Sequence, residues 1–123
     1  MNPLQIQQRG KVLCVRVSGR LAQEESVALA RQVTPRLKPG CDLLLDLGEV
    51  EYMTSAAVGA LVGLYQQVRL AGGRAAISAP NERVHLLLEI AGLNQLLALC
   101  RSLEEAEGQL GSGSGSASGT NPA

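Results

Sequence analysis

Asp46-Leu-Gly-Glu-Val-Glu-Tyr-Met-Thr-Ser-Ala-Ala-Val-Gly-Ala-Leu61 is the stretch that decides the fold. It leads from an apolar strand, through what reads as a short polar loop, into a long apolar helix beginning at Ser55. A serine at that point has two physical uses. Its oxygen can cap the free N–H groups of the first helical turn, or its hydroxyl can carry a phosphate that those groups and the helix dipole stabilise.

Immediately upstream, Cys41-Asp-Leu-Leu-Leu-Asp-Leu47 carries three consecutive leucines, which suits a strand covered on both faces, as in a parallel sheet. Downstream, the helix runs from Ser55 to Ala71 and stops at Gly72-Gly73. Before this centre, Leu4-Gln-Ile-Gln alternates, Arg9-Gly10 turns the chain, and Leu13, Val15 and Val17 alternate again, which predicts a β-hairpin. The segment Gln23 to Leu37 places Val27, Ala30 and Val33 or Thr34 at helical spacing, with Glu24 and Glu25 in the first turn. Pro35 weakens its last turn and Pro39-Gly40 ends it.

After the centre, Arg74-Ala-Ala-Ile-Ser78 reads as a strand, and Asn81 as the N-cap of a helix from Glu82 to Ala91, with Gly92 as its left-handed stop. Leu96-Leu-Ala-Leu-Cys100 predicts a final strand, and Ser102-Leu-Glu-Glu105 has the capping-box spacing of a short terminal helix. The predicted order is ββαβαβαβα, an α/β fold with a mixed sheet and helices packed on it. One domain over residues 1–110 is expected, followed by a disordered Gly/Ser-rich tail at 111–123 that holds no residue able to anchor a core.

Composition narrows the function. Eleven basic residues balance eleven acidic ones and neither Phe nor Trp is present, so a basic field for phosphates and a stacking platform for bases are both lacking; nucleic acid is not an expected partner. Cys14, Cys41 and Cys100 lie far apart without metal-ligand spacing and are expected as reduced thiols in a cytosolic, cytoplasmic protein. The longest uncharged run, 53–68, is interrupted by Thr, Ser, Gly and Gln, so no membrane insertion is expected. Neither a cofactor nor a metal is implied.

Between Ala56 and Tyr65 the central helix has no charge anywhere around its circumference. Val58, Leu61, Tyr65 and Val68 form one stripe, and Ala57, Ala60, Leu64 and Ala71 another. Only one face can lie on a sheet, so part of the helix is expected outside as an apolar docking patch. Gly59 and Gly63 leave a flat strip there. Alternatively, the glycines let the helix approach its own sheet.

Taken together, Leu43-Leu-Leu-Asp-Leu47, Val50-Glu-Tyr-Met-Thr-Ser-Ala-Ala-Val-Gly-Ala-Leu61, Ala71-Gly-Gly-Arg74, Leu93 and Ser102-Leu-Glu-Glu-Ala106 resemble a STAS domain over roughly residues 4 to 110. This module is shared by anti-sigma factor antagonists and the cytoplasmic tails of sulphate transporters. In the antagonist branch the loop reads Asp-Ser-Ser/Thr-Gly, and a partner serine kinase phosphorylates one hydroxyl and abolishes binding. A dianion arising in a desolvated apolar contact suits such a switch. In this chain the acidic position is Thr54, the hydroxyl pair is Ser55 and Ala56, and the glycine is Ala57, which leaves Ser55 as the acceptor in register. The family's Gly-Glu-Leu-Asp is here Gly19-Arg20-Leu21-Ala22. The resemblance implies that those acidic positions border the acceptor, and with both lost Asp46 becomes the expected loop carboxylate.

The resemblance therefore implies a non-enzymatic regulator that binds an anti-sigma factor or histidine-kinase-like serine kinase. Thr54, Ser55 and Ala56 of the loop would meet the partner, together with Val58, Gly59, Val62 and Gly63 of the helix. The alternative is an unphosphorylated structural subunit, in a STAS scaffold or on the ATPase of an ABC lipid transporter, which Ala56 and the missing acidic residues favour. Catalysis is not expected: Ser55, His85 and Asp46 are the one set that could be forced into a triad, and no Gly-x-Ser-x-Gly elbow exists.

Overall fold

The computed structural model describes residues 4–110; the tail expected at 111–123 lies outside the described residues. The elements follow the predicted order. Strands β1 (Leu4–Arg9) and β2 (Val12–Leu21) precede helix α1 (Gln23–Val33), strand β3 (Asp42–Met53) and helix α2 (Ser55–Leu70). Strand β4 (Ala75–Ser78), helix α3 (Glu82–Ile90), strand β5 (Ala98–Cys100) and helix α4 (Leu103–Gln109) follow within the described residues. The five strands form one mixed sheet in the order β1-β2-β3-β4-β5, antiparallel between β1 and β2 and parallel from β2 to β5.

The three leucines behave as their run predicts. Leu43 and Leu45 point into the main core beneath α1, α2 and α3, with Leu13, Val15 and Ile77 of the neighbouring strands. Leu44 points the other way and packs with Val12, Ala76 and Cys100 under Ala106 in the middle of α4 and Leu110 just beyond its end. Both faces of the first half of β3 are thus withdrawn from water. The connections obey local chemistry. Pro35 has no N–H to offer an α-helix, so α1 ends at Val33 and a 3-10 turn covers Thr34–Arg36. The Asn81 carboxamide oxygen accepts from the N–H groups of Arg83 and Val84 at 2.9 and 3.3 Å, and Gly92 takes a φ of 86°. At α4, the Ser102 hydroxyl accepts from Glu105 N–H at 3.1 Å, while the Glu105 carboxylate reaches one residue further back, to the N–H of Arg101 at 3.2 Å.

Three details differ from the sequence reading. Leu96 and Leu97 close a 3-10 turn, so β5 begins at Ala98. The buried stripe of α1 is Ser26, Leu29 and Val33, leaving Val27 47% exposed, because the larger Leu29 takes the inward position. Most consequential, the polar loop expected after Leu47 is strand. β3 continues to Met53 beside β2, with register shifts between Arg16 and Ser18 and between Gly19 and Arg20. At each shift β3 carries one residue more than β2, so its buried residues Leu47, Val50 and Met53 recur every third position. Glu49 and Glu51 fall in the exposed intervals.

Candidate functional site

Because β4 pairs with only Leu43 to Asp46 of β3, the upper half of β3 and the end of β2 project as a two-stranded ribbon. That ribbon carries the candidate site. A single residue, Thr54, separates Met53 from the first residue of α2, and its N–H donates to Leu21 O at 3.1 Å. The same hydrogen bond sets Leu21 and Ala22 against Thr54 and Ser55, so the rim at which the resemblance places an acceptor is assembled from the ends of β2 and β3 and the start of α2.

The capping reading of Ser55 is corrected by this geometry. Thr54 is extended, with φ −106° and ψ 169°, and its hydroxyl oxygen accepts from Ala57 N–H at 3.3 Å. Ser55 is already the first helical residue, exposed, and its hydroxyl has no hydrogen-bond partner among the described residues. A cap must have non-helical dihedrals, and position 54 is the one that has them.

Along α2 the buried row is Ala57, Leu61, Leu64 and Val68. Val58 and Val62 are half-buried at the margin of the core, and Ala56 and Gly59 are exposed beside Ser55. A Cβ added at Gly59 or Gly63 would meet no atom within 4 Å, so neither glycine is required for packing against the sheet. That removes the reading in which they serve close approach to their own domain. On the α1 side, Val27, Ala30, Ala56 and Ala60 line an open groove of about 190 Å³ with Gln23 and Ser26. The outward face of the helix is therefore small, apolar and uncovered. Val27 was not legible as part of it, because its helical spacing pointed to the core.

Asp46 does not border Ser55. It sits in mid-strand, about 20 Å of extended chain before Met53. Its side chain points to the sheet face opposite α2, because the neighbouring Leu45 and Leu47 point into the main core. There its carboxylate accepts from Arg16 Nε at 3.0 Å and from Gly48 N–H at 3.0 Å, and it lines a depression with Gln7, Cys14 and Arg16. The carboxylate that folds back onto this rim is that of Glu25, whose Oε1 accepts from Ala22 N–H at 3.1 Å. Arg20, at one of the substituted positions, pairs with Tyr52 across the ribbon and holds its guanidinium 5.9 Å from the ring centroid.

Ser55, His85 and Asp46 are not brought together as a triad. His85 is buried in α3, with Nδ1 at 3.1 Å from Ala79 O, which fixes that nitrogen as the donor, and Nε2 facing Glu89 at 3.6 Å. Among the described residues, no three His, Cys, Asp or Glu converge on a position that could hold a metal ion. What the rim offers is an exposed hydroxyl at a helix start and an apolar strip beside it.

Residues 3–106 match the family described as the STAS domain. The chain is 30% identical over 90 residues to the anti-sigma F factor antagonist of Paenibacillus polymyxa, covering 72% of this chain and 77% of that one. It is 26% identical over 99 residues to the anti-sigma-B factor antagonist of Bacillus subtilis, covering 80% and 91%. Its fold is similar to that of the Bacillus cell fate determinant SpoIIAA in the phosphorylated form, with a TM-score of 0.66 at 15% identity over 83% of this chain and 95% of that one.

Proposed function

This chain belongs to the STAS domain family, and from that premise we propose that it is a non-enzymatic anti-sigma factor antagonist, gripping an anti-sigma factor of the serine-kinase type through the Ser55 rim and the outward face of α2. One observation carries the reading: Ala56 and Gly59 stand exposed beside Ser55 on a helix with no charge in its first three turns, and the glycines have no packing duty of their own. An uncovered apolar face of that kind marks a docking surface on a soluble domain. Relatives named as anti-sigma factor antagonists support the type of partner.

The switch in this proposal is phosphorylation of Ser55. Its hydroxyl is exposed and free of the capping bond, which Thr54 makes instead. Phosphate there would sit well against the N-terminal dipole of the free protein, yet place a dianion inside an apolar contact, so modification favours the unbound state. Incubation with the candidate kinase and ATP, followed by mapping of the phosphate, tests this. Phosphate at another residue, or none at all, removes Ser55 from the switch.

Docking is tested separately by Gly59→Arg. The position is exposed, so the fold is retained, while affinity for the anti-sigma factor drops at least about thirtyfold, as for loss of an interface hot spot. Unchanged affinity would sink the docking face.

A second reading keeps the same surface and drops the switch: a permanent subunit of a STAS scaffold or of an ABC lipid-transport ATPase. Ala56 and Ala22, at the positions where the family has a hydroxyl and an acid, favour it. Co-purification with a transport ATPase or a large homomeric assembly, in place of a histidine-kinase-like protein, selects it.

A further inference from the structure

The edge of the sheet opposite the Ser55 rim is electrostatically distinct. The helices run back against the parallel strands, so their N-termini gather at the Ser55 rim and their C-termini at the other edge. First turns carry Glu24 and Glu25 in α1, Glu82 in α3, and Glu104 and Glu105 in α4. Arg31 closes α1, Arg36 the following 3-10 turn, and Arg69 closes α2. A chain of zero formal net charge thus has its helix-terminal charges sorted by end, with Arg20, Arg83 and Arg101 standing among the carboxylates at the Ser55 end.

Backbone hydrogen bonds tie the connections at this edge into one rim. Asp42 N–H donates to Lys11 O at 2.8 Å, Cys41 N–H to Lys38 O at 2.9 Å, and Gly40 N–H to Ala71 O at 2.6 Å. Leu43 N–H donates to Arg74 O at 2.9 Å. Lys11, Arg36, Lys38, Arg69 and Arg74 are exposed, and none is ion-paired among the described residues. Of the carboxylates in the last turns of α3 and α4, Glu107 is paired with Arg9, and Glu89 lies 3.6 Å from His85 Nε2. Among these cations stands Leu70, 83% exposed. Leu96, 42% exposed, borders with Arg69 and Arg74 a depression of about 370 Å³.

Asp42, the carboxylate within the rim, is buried and accepts from Arg74 N–H at 2.8 Å, and the Arg74 guanidinium donates to Leu110 O at 2.9 Å. The exposed cations around protruding leucines match a layer of anionic headgroups over hydrocarbon: the charges meet phosphate, and the leucines leave water. A nucleic-acid backbone would satisfy the cations but leave the leucines without a partner, and the aromatic that lines the depression, Tyr65, is half-buried against the main core rather than offered as a stacking platform. We propose that this basic rim is a peripheral docking surface for an anionic lipid bilayer, with Leu70 and Leu96 at the headgroup boundary and the Ser55 rim directed away from it. No helix among the described residues is long and apolar enough to cross a membrane, so the contact is one of surface attachment.

The full chain, mixed with large unilamellar vesicles of phosphatidylglycerol and phosphatidylcholine and sedimented, tests this. Binding is expected to the mixed vesicles, to weaken with added salt, and to be absent with phosphatidylcholine alone. Lys38→Glu and Arg69→Glu each lower the partition coefficient about fivefold or more. Leu70→Ser weakens binding but keeps its salt dependence. All three positions are exposed, and a thermal melt verifies that each variant folds. The proposal is overturned by equal binding to both vesicle types, by binding to neither, or by unchanged partition of the charge variants. Duplex DNA or polyglutamate binding through the same residues as tightly as the mixed vesicles overturns it too. Gly59→Arg, which tests the antagonist reading, leaves vesicle binding unchanged, so either proposal can fail without the other.

Discussion

Two adjacent hydroxyls meet different fates at the start of α2. Thr54 spends its oxygen on the Ala57 amide, whereas Ser55 projects into solvent. Thr54→Ala should therefore cost about 1 kcal/mol in urea denaturation, while Ser55→Ala should stay within about 0.5 kcal/mol. Equal costs would mean that both residues cap. Gly73 obeys a stricter steric rule: a Cβ there would lie 1.9 Å from Cys41 O, and both neighbours are held by backbone hydrogen bonds. Gly73→Ala is expected to destabilise by about 3 kcal/mol, read from the shift in the denaturation midpoint. The thiols give a pH test. Burial raises the pKa of Cys14, opposed by Arg9 and reinforced by Glu107 and Asp46; burial likewise raises Cys100, reinforced by Glu105. Folded values above unfolded ones mean that stability contributed by the neutral thiols is present below the ordinary thiol pKa and is lost as pH rises through the folded values. Iodoacetamide should label both cysteines more slowly in the native protein than in urea at neutral pH, and native labelling should accelerate only at distinctly alkaline pH.

At the scale of the element, α2 carries two interior glycines that nothing in its own packing requires. Gly59→Ala and Gly63→Ala should each stabilise the fold by about 0.5–1 kcal/mol, measured by chemical denaturation. Their retention at a cost in helix stability is intelligible if another backbone must come close there. The apolar character of this helix was legible from residues alone, because a run without charge around a whole circumference is hard to bury in a thin domain. So were the stops and starts at Asn81, Gly92 and Ser102, whose chemistry is local. The length of β3 was not. A strand is recognised by a period of two, and the bulges convert Leu47, Val50 and Met53 to a period of three, with glutamates between, which is the pattern of a loop. Asp46 was misplaced for the same reason: with the segment after it taken as a short loop, the carboxylate appeared close to Ser55, when most of a strand lies between them.

For the whole molecule, the two faces of the sheet are unequal. The main core draws on three helices, while the second face is closed by α4 over a cluster of six buried residues that includes Leu44, Cys100 and Leu110. Hydrogen exchange should therefore show α4 amides opening locally, ahead of those in the buried half of α2. Leu44→Ala should speed α4 exchange selectively, whereas Leu45→Ala should lower the stability of the whole domain by about 2–5 kcal/mol. Uniform acceleration in both variants would mean that α4 unfolds only with the rest.

Joining β3 to α2 through Thr54 alone leaves the Ser55 rim without slack. Met53 is paired to Leu21 on one side and the first helical turn is pinned on the other, so the backbone around Ser55 has nowhere to swing. A partner of the proposed kind must accept this contour as it finds it. Capture should then proceed in one kinetic phase that scales linearly with partner concentration, with no slow rearrangement after contact.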